Sequence, residues 1–435
     1  MEGACRDMRI LQIGNFFPPR YAGGAEVAAF HGAWGLRRQG VDVRVLSSCA
    51  RYPQAFDNAY EYHGLKVHEI GWPPPRSRWG QLVNLRVYRA VLREIDVLRP
   101  DLIHLHNLSG CSLAPYLAAR RRRVPVIQTL HDHWLLCPSN ILYKTDAGRC
   151  ESASAWRSCG GCLRRYDYWG AVPWRRAVMR ALTRSARCFI SPSHRLIALH
   201  VAAGYDRARF RHLPYGFDFS RFHDVEGGTD SAIPDSAGKN IILFSGALVE
   251  TKGLDVLLRA IPLLSRYIDG LELWVLGGGE ARYTDHLRDY ATAGVRLLGH
   301  VPFQRAAALY SRAALTVVPS VWFDNSPVVV YESFASGTPV LGSAIGGITE
   351  LIGEGVTGYV VPPGDAAALA ERAILHFAKP QRERDEMRAA CRSYFASRLT
   401  LDRYAKGFLD IVAGGLANNH SPLDPAAALE RKGGR

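Results

Sequence analysis

Short apolar runs alternate with helix-length segments along this chain, and the alternation stops once and then restarts. Residues 8–14 (MRILQIG) are an apolar run ending in glycine, and a Pro/Gly loop follows from Asn15 to Gly24. Residues 26–39 read as a helix with Val27, Phe30, Trp34 and Leu36 among its apolar positions and Gly40 as its stop. Residues 41–46 are the next strand. Strand, helix, strand is the unit of a parallel α/β sheet. Further strands are predicted at 101–106, 124–130 and 188–191. Residues 213–240 then lose all periodicity and fill with Gly, Asp, Ser and Pro. A second series starts beyond them: strands at 240–245, 271–276, 295–298 and 315–318, and a helix at 253–264. Residues 382–413 are mostly helical, with Gly414-Gly415 as the stop.

The expected architecture is therefore α/β, with two Rossmann-like parallel-sheet domains facing across a cleft. The first spans 8–215 and the second 238–395, with a C-terminal helix at 396–415 packing back on the first and a flexible tail at 416–435. Residues 1–7 read either as a short leader or as a segment before a start at Met8. Two domains suit 435 residues, and a composition of 48% hydrophobic and 22% charged residues supplies two cores and excludes general disorder. No run of about 18 apolar residues predicts a membrane span, and the N-terminus does not read as a signal peptide. A cytoplasmic chain is expected, at the inner face of the cell membrane if the basic half meets lipid.

The net charge is +14, with one basic run at Arg120–Arg123 and another cluster at Arg76, Arg78, Arg86, Arg89 and Arg93. Nucleic acid, anionic lipid and anionic small molecules all fit such a charge, and so does a solvated basic face. Trp72, Trp79, Trp169 and Trp174 flank arginines as interfacial segments do, although core packing explains them equally. No zinc-finger histidine pair, RNA-binding aromatic signature or continuous basic helix supports a nucleic-acid partner. Nor does the Gly-Asn-Phe after the first strand form the glycine turn of a dinucleotide oxidoreductase.

Five of the nine cysteines are scattered and read as reduced thiols. The other four, Cys137, Cys150, Cys159 and Cys162, cluster in a segment expected to be an insertion at 137–170 lining the acceptor side. Cys159-Gly-Gly-Cys162 has chelating spacing, so structural zinc, buried thiols and disulfides all stay open. Zinc there would be structural, because four thiolates leave no position for water. No cofactor is expected to be required for catalysis.

The most informative stretch is 322–340, WFDNSPVVVYESFASGTPV. Its two carboxylates, Asp324 and Glu332, stand at the end of a buried strand and inside a following helix. Ser326 as N-cap and Pro327 at the first helical position predict that helix, with Gly337 as its stop. Its first amides, near Val328 to Val330, would face an anion such as a diphosphate. Carboxylates repel phosphate but accept hydrogen bonds from sugar hydroxyls, so a ligand joining a diphosphate to sugars fits.

This region resembles the family-4 retaining glycosyltransferases of the GT-B fold, whose signature has two glutamates separated by seven residues and then Ala-x-Gly-x-Pro-Val. Here it reads Asp324-x7-Glu332 and Ala335-Ser-Gly-Thr-Pro-Val340. Pro319-Ser320, Gly346-Gly-Ile-Thr-Glu350, Gly358-Tyr-Val-Val361 and Pro363-Gly-Asp365 continue the pattern. Gly246-x5-Lys252-Gly253 is similar to the family's phosphate-binding segment, and residues 18–26 to its glycine-rich acceptor-side loop. A subset of the family is similar around His131-Asp-x-Trp-x-x-Cys137. The resemblance covers about residues 8–415.

It implies roles. Glu332 would bind the nucleotide ribose and Asp324 the donor-sugar hydroxyls. Lys252 would neutralise the diphosphate with help from the amides of Val328 and Val329. Asn325, Ser326 and Pro327 would line the donor site, Gly23 and Gly24 would let the backbone approach the donor, and His131 would lie near the sugar. The implied activity is a retaining transfer from a nucleotide diphosphate sugar to a glycan or lipid-linked glycan, in cell-surface polysaccharide biosynthesis. An acceptor hydroxyl would attack on the face the leaving group departs from, and the enzyme's task would be positioning and charge stabilisation. Three departures stand out: Ala247 where the family has Arg, Asp324 for Glu, and Tyr215 for a common Asn. The first two make a catalytically weak or inactive nucleotide-sugar-binding protein of the same fold the alternative. The base, the sugar and the acceptor are not legible.

Overall fold

The computed structural model describes residues 8–20, 23–49, 54–73, 82–144, 148–150, 159, 172–219, 234–279, 283, 285, 287, 294–301 and 303–414. The chain forms two compact units. One comprises Met1–Leu142, Cys150–Gly216 and Leu401–Arg435, and the other Tyr143–Arg149 and Phe217–Thr400.

The first unit is built on a sheet of eight strands: β1 Arg9–Gly14, β2 Asp42–Cys49, β3 Phe56–Tyr62, β4 Leu65–Gly71, β5 Leu102–Leu105, β6 Val126–Thr129, and, after the two short strands described below, β9 Ala186–Ser191 and β10 Phe210–His212. Their order is β10-β9-β6-β5-β1-β2-β4-β3. All neighbours run parallel except the hairpin β3–β4. Strand β1 is buried along its middle (Ile10 to Ile13) because helices cover a parallel sheet on both faces, which is why it reads as a continuous apolar run. The hairpin was not legible: β3 has only exposed and half-buried residues, three exposed in a row at 57–59, and carries little apolar signal.

The helix Gly24–Arg38 crosses from β1 to β2. Against it lies the helix Leu401–Ala413, whose Leu401, Tyr404, Ala405 and Phe408 are buried at helical spacing. The two approach closely because Gly32 and Gly35 face them. A Cβ on Gly35 would sit 2.8 Å from the Leu401 side chain, and one on Gly32 would sit 3.0 Å from Tyr404. The segment 382–413, expected to be mostly helical, forms two helices, Gln381–Arg398 and Leu401–Ala413, and the expected C-terminal helix at 396–415 starts at Leu401. The break is also the boundary at which the chain leaves the second unit for the first.

The second unit has six parallel strands: β11 Asn240–Ser245, β12 Leu271–Leu276, β13 Val295–Gly299, β14 Leu315–Val318, β15 Val340–Ser343 and β16 Gly358–Val361, ordered β13-β12-β11-β14-β15-β16. A separate antiparallel hairpin, β7 Tyr143–Lys144 with β8 Gly148–Arg149, belongs to this unit by contact although it falls early in the chain. The whole segment 137–170 is therefore not an insertion of the first domain alone. The core of the second unit includes Ile242, Leu254, Leu257, Leu273, Val275, Leu315, Val317 and Leu341. Each such side chain contributes about 1.5–3 kcal/mol on burial.

Candidate donor site and its counterpart in the first unit

In both sheets the strand order reverses at one point: between β1 and β5 in the first, and between β11 and β14 in the second. Ligands in open α/β sheets bind outside the carboxyl ends of strands at such a reversal.

In the second unit the loops after β11 and β14 lie together. The Val321 amide donates to the Thr251 carbonyl at 3.0 Å. Gly253 (φ +69°) caps the turn Glu250–Lys252 in a left-handed conformation, and any Cβ there would run into the Pro319 carbonyl oxygen. This packing brings Lys252 to Asp324, whose Oδ2 accepts from Nζ at 2.5 Å and from the Ser320 hydroxyl at 3.3 Å. The lysine also lies over the Trp322 ring, 5.2 Å from its centroid. Asp324 is held from behind as well. Its carbonyl accepts from the Gly347 amide at 2.8 Å, and Gly346 (φ +60°) leaves no room for a Cβ beside it.

The helix after this loop, Val328–Ala335, starts one residue later than expected. Pro327 is its N-cap, with ψ 124°, and is not its first helical residue. Ser326 does not cap it: the Ser326 hydroxyl shares a 2.6 Å hydrogen bond with the Tyr331 phenol. The amides of Val328 and Val329 stand at the helix start, where an N-terminus favours anions. Asn325, Ser326 and Pro327 are buried beside them, and Val328 and Val329 are half-buried. Glu332 is half-buried and accepts a 2.6 Å hydrogen bond from the Tyr310 phenol. Burial pushes the Glu332 carboxyl above the usual range, and the Tyr310 bond opposes that. The two carboxylates of the signature are thus held by different partners, one by a cation and one by a phenol. Tyr310 and Trp322 were not singled out in the sequence. Tyr310 lies 22 residues before its partner and carries no local signal.

At the reversal of the first unit the groups packed around His131 are neutral, while the buried carboxylate Glu26 stands in the first turn of the helix after β1. The Asn15 side chain, after β1, donates to the Ser109 hydroxyl and accepts from the Gly110 amide, both at 2.8 Å, so the loops after β1 and β5 are bonded together. His131, after β6, has both ring nitrogens engaged: Nδ1 with the Tyr215 phenol at 2.7 Å and Nε2 with His106 Nδ1 at 2.8 Å. His104 lies 4.1 Å from the His106 ring and bonds the Thr129 hydroxyl at 2.8 Å. Phe408 of the helix Leu401–Ala413 covers His104 at 4.6 Å. Burial lowers all three imidazoles, His131 and His104 to about 3, so they are uncharged at neutral pH. Tyr215, a departure at the sequence level, is the partner that orients His131. The neighbouring Asp132 is pushed up to about 6 by burial. Gly23 and Gly24 are exposed at the start of the helix Gly24–Arg38, and Gly23 is extended, so its backbone does not demand glycine.

Cys137 is half-buried with Sγ 3.0 Å from the Ser139 hydroxyl, and Cys150 is buried. Among the described residues Cys137, Cys150 and Cys159 do not gather into a ligand set, and Cys162 lies outside the described residues. Most of the insertion, the cluster around Arg76 and Arg78, Trp79, Trp169, residues 1–7 and the tail 416–435 lie outside them too. Among the described residues no helix is long and apolar enough to cross a membrane.

Comparison with known proteins bears on the family and the fold. The family model described as glycosyl transferases group 1 matches residues 239–378, and that described as glycosyltransferase family 4 matches residues 22–221. A glycogen synthase of Mycobacterium tuberculosis is 28% identical over 383 residues, covering 83% of this chain and 84% of the relative. A D-inositol 3-phosphate glycosyltransferase of Catenulispora acidiphila is 29% identical over 376 residues, covering 80% and 81%. Among solved structures, a sucrose-phosphate synthase from Thermosynechococcus elongatus superposes with a TM-score of 0.72 at 19% identity, over 94% of this chain and 98% of that one. The Anabaena protein HepE, solved in complex with UDP, gives 0.68 at 18% identity, over 94% and 100%. Both units are matched by a model of one enzyme class and the fold is that of GT-B proteins, so the chain belongs to the family-4, group-1 glycosyltransferases.

Proposed function

We propose that this glycosyltransferase takes its sugar from a nucleotide diphosphate donor bound at the β11/β14 reversal of the second unit, and transfers it with retention. The observation that carries this is the Lys252–Asp324 pair set beside the start of the helix Val328–Ala335. An ammonium has three N–H donors, so Lys252 can keep Asp324 and still meet a phosphate oxygen. It would stabilise the charge that develops as the sugar–phosphate bond breaks, with the amides of Val328 and Val329. Asp324 and Glu332 would accept from sugar hydroxyls. His131, neutral and fixed at both nitrogens, would act by shape and orientation rather than by proton transfer.

Likeness to HepE, solved with UDP, supports a nucleotide-linked donor. The acceptor we infer is a glycan or lipid-linked glycan of a cell-surface polysaccharide. The exposed arginines 86, 89, 93 and 120–123 would favour an anionic membrane at its cytoplasmic face. A structural zinc on the four cysteines is tested by metal content, and no step above is routed through it.

The deciding experiment is a thermal-shift panel with UDP-, GDP-, ADP- and dTDP-sugars. A ligand at about 100 times its dissociation constant stabilises by ~2.7 kcal/mol. One base should shift the wild type and fail to shift Glu332→Ala. Product anomer by NMR then tests retention. No shift with any donor would refute the donor reading.

A further inference from the structure

The loop that should hold the diphosphate is short of positive charge. Between Gly246 and Lys252 it carries one cation, Lys252, already paired with Asp324, and one anion, Glu250; position 247 is alanine. Lys252 and the amides of Val328 and Val329 would leave a diphosphate placed here only partly compensated, and a further cation in the same unit would complete the site.

The hairpin β7–β8 lies against this loop. The Tyr143 phenol donates to Glu250 Oε1 at 3.1 Å, and Glu250 opens the turn that ends in Lys252. Tyr143 and Arg149 are directly paired across the hairpin, and such partners project from the same face. Arg149 therefore stands on the side that meets Glu250. Its charge is felt by the Tyr143 phenol, which burial, and then Glu250, push above its ordinary value and Arg149 opposes. The base of the hairpin is closed by the Cys150 amide donating to the Leu142 carbonyl at 2.8 Å.

We propose that this hairpin is part of the diphosphate site, with Arg149 supplying the positive charge that position 247 lacks and Tyr143 holding, through Glu250, the turn that presents Lys252. Arg149 contacts the anion; Tyr143 is a positioning residue. The proposal rests on the donor reading above and assigns a function to a segment that the sequence placed on the acceptor side.

The test is calorimetric titration of the full chain with UDP, GDP, ADP and dTDP, and with the matching nucleoside as competitor. Arg149→Ala should weaken the preferred nucleoside diphosphate about tenfold and leave the nucleoside unchanged, because the lost contact is to charge. Arg149→Lys should keep most of the affinity. Ala247→Arg added to Arg149→Ala should restore it, since either cation would serve one anion. Tyr143→Phe should raise the donor KM about threefold with kcat kept. Wild-type affinity in both Arg149→Ala and Tyr143→Phe, with Glu332→Ala still defective, overturns the hairpin proposal alone. Equal loss of nucleoside and diphosphate affinity also overturns it, because it marks a general structural effect. A wild type that takes none of the four nucleoside diphosphates overturns the donor reading and this proposal with it.

Discussion

The two strand-order reversals occupy the same topological position and are furnished in opposite ways. In the second unit the reversal carries an ammonium, a carboxylate and a helix start around Asp324. In the first it carries interlocked, uncharged imidazoles and amides around His131. Fixed charge suits a charged ligand, because the site must compensate a diphosphate that leaves water. Neutral groups bonded to one another suit a surface that shapes and orients. Fold alone does not distinguish the two places, since both sheets offer the same one; on the function proposed above the side chains distinguish them.

The comparison breaks most severely if the charged pair is dismantled. Lys252→Ala leaves Asp324, with its side chain only 9% exposed, without its cation. Stripping a buried pair of one partner costs about 3–5 kcal/mol. Transfer should fall by ~100- to 1,000-fold in kcat/KM, as when one transition-state donor is lost. A loss below tenfold would remove Lys252 from the chemistry.

Glu332 sharpens the comparison through pH. Its folded pKa is raised, so donor affinity should begin to fall at a higher pH than an ordinary carboxylate would dictate. Tyr310→Phe removes the bond that opposes the rise, and the midpoint of that fall should move upward. Donor titrations between pH 4 and 8 read both, and a midpoint that Tyr310→Phe leaves in place would separate the phenol from Glu332 ionisation.

For the neutral reversal the expectation is a smaller loss without a pH signature. Tyr215→Phe leaves one nitrogen of His131 without its partner and should cost about 1–3 kcal/mol of stability and roughly tenfold in activity. The activity profile from pH 5 to 8 should keep its shape, since His131 is held near 3 and does not titrate there. A new inflection in that range would mean His131 does move a proton.

The effect at Asp132 falls on stability and not on transfer. Its carboxyl is pushed up to about 6, above its value in the unfolded chain. The folded state therefore binds this proton more tightly, and the associated stability is full below about pH 4 and is lost as pH rises through 6. Melting temperatures of the wild type should slope downward across that window, and Asp132→Asn should flatten the slope. An identical slope in the variant would place the titration elsewhere.

Much of this was legible in residues. Strands β11, β12 and β14 fall where their apolar runs end, because a strand buried on both faces must be apolar throughout. Asp324, Glu332 and Lys252 were legible as a set through their resemblance to a known signature, and the structure joins two of them in one ion pair. What was hidden depends on contacts between distant segments. Tyr310 and Tyr143 carry no pattern that points to Glu332 or Glu250, 22 and 107 residues away. The hairpin β3–β4 was hidden for another reason: half-exposed strands on a sheet edge have weak periodicity. The start of the helix Val328–Ala335 was misplaced by one residue because proline's fixed φ suits both the N-cap and the first helical position, and only ψ tells them apart.

The helix Leu401–Ala413 carries one more consequence, for synthesis on the ribosome. The first unit begins at the N-terminus, yet Leu401, Tyr404 and Phe408 of its packing come from the end of the described chain. Until they emerge, the face of the helix Gly24–Arg38 around Gly32 and Gly35 lacks its cover, and so does the ring of His104. At about 5–20 residues per second the wait from Arg38 to Phe408 lasts roughly 20–75 s. The second unit, translated in between, has no such wait for the strands of its sheet. The half translated earlier is therefore completed later, and a stop codon near Thr400 would spare the sheet of the second unit while leaving the first unit incomplete.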